Sequence, residues 1–144
     1  KIMALNDPKK KMSKSLGPDC YISLFDEPTV IRKKIMSAVT DTGRKIAYDI
    51  KKKPGISNLL TIHSLFSGKS IKKLEKEFEN KGYKEFKKSL ANLLINFLKP
   101  FRQKRKELIK REVYVREILN QGRKKAKTIA QSNIAEIKKK MGLI

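Results

Sequence analysis

Lys1-Ile2-Met3-Ala4-Leu5-Asn6-Asp7-Pro8-Lys9-Lys10-Lys11-Met12-Ser13-Lys14-Ser15 is the stretch that orients the reading of the whole chain. Lys1 to Leu5 form an apolar, strand-like end. Asp7-Pro8 then turns the chain, because Pro8 disfavours helix at Asp7. Lys11 to Ser15 place two ammonium groups and two hydroxyls within one short segment. Each can donate a hydrogen bond to a phosphate oxygen. Gly17-Pro18 closes the segment with a second pair of breakers. The pattern reads as a mobile loop at the end of a strand, where open α/β sheets place their ligand-binding loops. Its composition suits closure over a triphosphate. The chain carries 36 Lys+Arg against 14 Asp+Glu, a net charge of +22. In that background the same five residues would also pass for a solvated lysine cluster, so the rest of the chain carries the decision.

Beyond Cys20 the chain reads as helices. Asp26-Glu27-Pro28 is a helix start with proline at the first position, and Val30, Ile31, Ile35 and Ala38 form an apolar stripe. Asp41 to Gly55 lacks a sustained period and reads as a long connection. A helix is expected from Ser57 to Phe66. Ser70 can cap the next one, with Ile71, Leu74 and Phe78 on one face and Gly82 beyond its end. A long helix follows, with Phe86, Leu90, Leu93, Leu94, Phe97 and Leu98 at helical spacing. Pro100 is expected to kink or divide it. Phe101 to Arg111 is mostly charged, with only Phe101, Leu108 and Ile109 to dock. The last segment carries a stripe of Val115, Ile118, Leu119, Ala126, Ile129, Ala130, Ile137 and Met141. Gly122 on that stripe would permit close helix approach. No strand period appears after residue 25. The fold class is therefore mainly α, a helical bundle attached to the strand-end stub of an α/β domain.

Other candidate groups favour structural roles. His63, on a predicted helix without a nucleophile in triad context, reads as structural. Phe86, Phe97 and Phe101 read as core rather than base-stacking platforms. Glu75-Lys76-Glu77 suggests solvent-facing pairs. Cys20 is the single cysteine, so no internal disulfide forms, and it reads as a small, partly buried residue. No Cys/His cluster has metal-ligand spacing. No apolar run is long enough to span a bilayer, and no secretory segment is evident.

The run KIMALNDPKKKMSKS resembles the second signature of the class I aminoacyl-tRNA synthetases, and more narrowly the bacterial tryptophanyl-tRNA synthetase family. Ile31-Arg32-Lys33-Lys34-Ile35-Met36-Ser37-Ala38-Val39-Thr40-Asp41 and Lys53-Pro54-Gly55-Ile56-Ser57-Asn58-Leu59-Leu60 resemble two downstream stretches of that family. Ser67-Gly68-Lys69-Ser70-Ile71, Gly82-Tyr83 and Met141-Gly142-Leu143 continue the match in order. The resemblance implies that residues 1–18 are the end of a Rossmann-type catalytic domain and residues 19–144 a helical anticodon-binding domain. It implies ATP, with Mg²⁺ carried by ATP, as the cofactor. Lys11 and Lys14 would be catalytic, holding the pyrophosphate leaving group. Ser13 and Ser15 would add hydroxyl donors, and Met12 and Ile2 would meet the adenine and backbone side of ATP. Leu16 stands where relatives often carry an acidic residue.

The family's first signature is absent, and Lys1 is not an initiator methionine. The expectation is a C-terminal portion of a longer, cytoplasmic enzyme that activates L-tryptophan and charges tRNA(Trp). The portion alone would be inactive, since L-tryptophan would bind only with the N-terminal half. The parent would be a homodimer and the portion a monomer. The basic surface would attract RNA by a sequence-independent electrostatic term, although the Lys, Ile and Asn bias also fits an AT-rich genome. The alternative reading is a stand-alone basic helical RNA-binding module without catalysis. Neither reading involves a membrane.

Overall fold

The computed structural model describes residues 1–143; Ile144, the last residue of the expected helical domain, lies outside the described residues. The chain divides into two compact units, Lys1–Arg102 and Gln103–Ile144.

The first unit is built on four helices. Pro28 opens α1 (Pro28–Ser37), as the Asp-Glu-Pro signal predicts. Ile31 and Ile35, one helical turn apart, are fully buried, whereas Val30 of the expected stripe is exposed. Lys34 on the same helix is buried and ion-paired with Asp26 at 2.7 Å. At the far end of α1, the Lys87 ammonium donates to the carbonyls of Ala38 at 2.7 Å and Met36 at 3.3 Å. A cation there satisfies carbonyls that have no intrahelical partner. Burial pushes the Lys87 amine below its ordinary value.

Helix α2 (Pro54–Ser67) begins three residues earlier than the sequence suggests. Pro54-Gly55 reads as loop punctuation, yet proline fits the first helical turn because its missing N–H is not needed there. Every residue from Gly55 to Leu60 is buried, so this helix lies inside the unit rather than on its surface. Gly55 is required by space: a Cβ there would stand 2.2 Å from the Val39 carbonyl oxygen. Gly68, in the left-handed conformation at φ 70°, ends the helix and returns its N–H to the Ser64 carbonyl. Ser70 caps α3 (Ile71–Glu77) by accepting from Lys73 N, as expected. Glu77 pairs with Lys69, but Glu75 accepts from the backbone N–H of Tyr48 instead of pairing with a lysine.

Helix α4 (Tyr83–Ile109) presents Phe86, Leu90, Leu94 and Leu98 to the core. It runs through Pro100 undivided. In that turn the buried Arg102 guanidinium donates to the Ile95 carbonyl at 2.8 Å. Packing thus outweighs the cost of an interior proline, about 3 kcal/mol. Phe97 and Phe101, expected in the core, are about half exposed. They stack on each other, and Phe97 meets Phe66 edge-on at 4.8 Å.

The second unit comprises the end of α4 and α5 (Glu112–Lys140). The expected stripe on α5 is exposed: Ile118, Leu119, Ile129, Ile137 and Met141 all face out. Apart from its own helix backbone, nothing stands within 4 Å of where a Gly122 Cβ would be, so the close helix approach expected there does not occur among the described residues of this unit. Periodicity marks an apolar face but not what covers it. The helix carries local support from Arg116–Glu112 at 2.6 Å and Lys140–Glu136 at 2.7 Å.

Candidate functional site

Residues 2–5 are extended but do not form a strand. Among the described residues their only ladder contact is a single antiparallel bridge between Met3 and Lys11. A strand needs a continuing partner, and here the returning arm offers only Lys10 to Met12. The strand-like reading is thus corrected to a short two-armed stem whose far arm runs into the Lys11–Ser15 loop.

The stem still follows strand logic. Backbone groups of successive residues point alternately to opposite sides. On one side, Ala4 N–H donates to the Lys10 carbonyl at 2.9 Å, and the Ile2 carbonyl accepts from Met12 N–H at 3.0 Å. On the other, Met3 N–H donates to Asn58 Oδ1 at 2.9 Å while Asn58 Nδ2 donates to the Met3 carbonyl at 2.8 Å. Two residues on, Leu5 N–H donates to the Cys20 carbonyl and the Leu5 carbonyl accepts from Val39 N–H. Even-numbered residues hold the loop arm, and odd-numbered residues hold the helical body. At the turn, the Lys9 backbone N–H holds the Asp7 carboxyl below its ordinary value, with the Lys10 ammonium adding to the effect.

The loop residues sit on this stem in known order. Lys11 is exposed and stands opposite Met3. Met12 is half-buried and packs, with Ile2, against the core. Ser13 caps a short 3₁₀ turn, Lys14–Leu16, by accepting from Ser15 N–H. The Ser13 and Ser15 hydroxyls bond each other at 2.8 Å. Lys14 is exposed at the start of the turn, and Leu16 is also exposed. Gly17, at φ 94°, returns its N–H to the Lys14 carbonyl. The structure therefore gathers Ile2, Lys11, Met12, Ser13, Lys14 and Ser15 on one stem-loop, with both ammonium groups outward. Ammonium and hydroxyl donors gathered in this way suit a polyphosphate.

Two anchors were not read from the sequence. The fully buried Cys20 thiol lies 2.8 Å from the Ser13 carbonyl and 2.9 Å from the Gly17 carbonyl, where it can donate to either. It holds the far side of the loop where Leu16 offers no charge. Asn58 holds the near side. Its motif was visible, but a side chain bonding a backbone 55 residues away leaves no periodic signal.

A separate polar cluster secures the connection that follows α1. Asp41 accepts from Lys53 at 2.9 Å and from the Tyr83 hydroxyl at 2.8 Å. Burial pushes the Asp41 carboxyl up, but hydrogen bonds from Lys53, Tyr83 and Gly43 outweigh it and hold the group below its ordinary value. His63 is buried between Phe78 and Phe86, within reach of the hydroxyls of Ser67 and Ser89. Burial lowers its pKa. Its setting is that of a core residue, as expected. Among the described residues no three His, Cys, Asp or Glu side chains gather as a metal site, and no helix is long and apolar enough to cross a membrane.

The chain is similar to known proteins along nearly its whole length. A family model described as tRNA synthetases class I (W and Y) matches residues 1–99. The tryptophan–tRNA ligase of Halalkalibacterium halodurans is 46% identical over 99% of this chain and 43% of its own length. That of Oceanobacillus iheyensis is 47% identical over 99% of this chain and 44% of its own. The crystal structure of tryptophanyl-tRNA synthetase from Campylobacter jejuni superposes with a TM-score of 0.75 and 31% identity, covering 98% of this chain and 44% of that one. The chain thus spans less than half the length of the curated relatives it matches.

Proposed function

The chain belongs to the class I tRNA synthetases of the W and Y group, and from that premise we propose that it supplies the KMSKS loop and the helical tRNA-binding part of a cytoplasmic, homodimeric tryptophan–tRNA ligase. Residues 1–18 would end the catalytic domain and residues 19–144 form the helical domain. The observation that carries this reading is the loop itself: Lys11 and Lys14 stand exposed on a stem tied to the core on both sides. The similarity to tryptophan–tRNA ligases along nearly the whole chain favours tryptophan over tyrosine.

In the proposed reaction a tryptophan carboxylate oxygen attacks the α-phosphorus of ATP. The bond from that phosphorus to the bridging oxygen breaks, and pyrophosphate leaves with the electron pair. A hydroxyl of tRNA(Trp) then attacks the carbonyl carbon of the adenylate, forming an ester as AMP leaves with the electron pair of the broken bond. Catalysis of such a step is mostly positioning and charge stabilisation. Lys11 and Lys14 would bind the β- and γ-phosphates as negative charge grows on the leaving group. Ser13 and Ser15 would exchange their mutual hydrogen bond for phosphate oxygens. Met12 and Ile2, each packed against the core, would line the adenine and backbone side of ATP. The donor set of ammonium and hydroxyl groups does not fit a resident Mg²⁺, which prefers carboxylate oxygen. ATP would bring its own.

The test is amino-acid-dependent exchange of pyrophosphate into ATP by the natural gene product. Exchange stimulated by tryptophan and not by tyrosine is expected. Exchange stimulated by tyrosine, or none with either amino acid, would overturn the proposal.

A further inference from the structure

We infer that Asn58 is a positioning residue for the phosphate loop: its side-chain amide takes the place of a neighbouring strand and fixes the stem from which Lys11 and Lys14 reach ATP. The inference rests on the function proposed above and adds a residue that acts through another.

Met3 lies between Asn58 of α2 and the loop arm. It carries one backbone donor and one acceptor, both aimed away from the loop arm, in a half-buried place where unpaired groups are costly. A primary amide offers an uncharged donor and an acceptor side by side in one plane at every pH, as a peptide does. Asn58 supplies both at once, at 2.9 and 2.8 Å. The pairing fixes the orientation of the amide, since rotating it would set donor against donor and acceptor against acceptor. Asn58 is itself 6% exposed and sits on α2 between fully packed core positions. Its own position is therefore set by the helical body.

Met3 is also the residue bridged to Lys11. The order across the stem is Asn58, then Met3, then Lys11. The bonds on either side of the bridge, from Ala4 to Lys10 and from Met12 to Ile2, make the two arms move together. Releasing Met3 from Asn58 lets the stem shift as a unit, and the lysines with it. A misplacement of about 1 Å at a reacting centre can cost about a hundredfold in rate. Asn58 touches neither ATP nor tryptophan in this account.

The experiment is a double-mutant cycle in tryptophan-dependent pyrophosphate exchange, using the natural gene product. Asn58→Ala should lower kcat by about tenfold or more, with the KM for tryptophan unchanged. In a Lys11→Ala background the same change should cost less than in the wild type, because one of the two groups it positions is gone. Should Asn58→Ala not be recovered folded, Asn58→Asp is read by the same criteria. It keeps the size and the acceptor but loses the donor to Met3. An unchanged kcat, or an equal loss in both backgrounds, would overturn the inference while leaving the functional reading intact. A wild-type protein without tryptophan-dependent exchange would overturn both.

Discussion

At the scale of single residues, charge placement decides what the loop can do. Lys14 opens the 3₁₀ turn and is exposed, so its ammonium is free to follow phosphate charge. Removing one well-placed donor to a charged transition state costs about 2.7–4 kcal/mol, roughly a hundredfold or more in rate. His63 shows the opposite use of a titratable group. Burial holds its imidazole below the ordinary 6.5. As pH falls, the unfolded chain takes up that proton first, so stability present above pH 6.5 is lost on descending toward the depressed folded value. Thermal melts of the first unit's host protein from about pH 8 to about pH 5 should show a falling Tm for the wild type and a smaller fall for His63→Gln. Equal pH dependence in the two proteins would refute the assignment. The structural role of His63 was legible from its place on a predicted helix without a nucleophile in triad context, and its burial follows from the fold. The thiol anchor of Cys20 was not, because a lone cysteine in a sequence carries no sign of the carbonyls it will meet.

At the scale of elements, the sequence is most informative where one residue type has one physical use. Pro28 marked the start of α1 and Ser70 the cap of α3, and both stand where expected. Pro54-Gly55 misled because the same pair serves both loops and first turns. The deciding fact is the approach of Val39, which only a residue without Cβ accommodates. Gly55→Ala should therefore destabilise by about 1–3 kcal/mol or more, since the contact is backbone and cannot swing aside. Denaturant titration would measure it, and an unchanged midpoint would contradict the packing described. Ser70→Ala, by contrast, should cost about 1 kcal/mol, the usual value for a lost N-cap. Pro100 and the α5 stripe show the limit of pattern reading. Tertiary packing carried α4 through a proline, and an apolar period on α5 did not predict burial.

At the scale of the whole molecule, the net charge of +22 along this chain would attract any polyanion irrespective of its sequence. A protein that only binds through this field would hold every tRNA equally and lose affinity steeply with salt. The proposed role predicts more: a preference for tRNA(Trp) that persists as ionic strength rises, measured by filter binding against unrelated tRNAs. Equal affinities at every salt concentration would reduce the surface to a generic basic one. The central claim concerns the loop on its stem, and single-turnover formation of tryptophanyl-adenylate by the natural gene product tests it most directly. The account predicts that Lys14→Ala slows this step by about a hundredfold or more while tryptophan binds as before. Adenylate formation at the wild-type rate in that variant would contradict it.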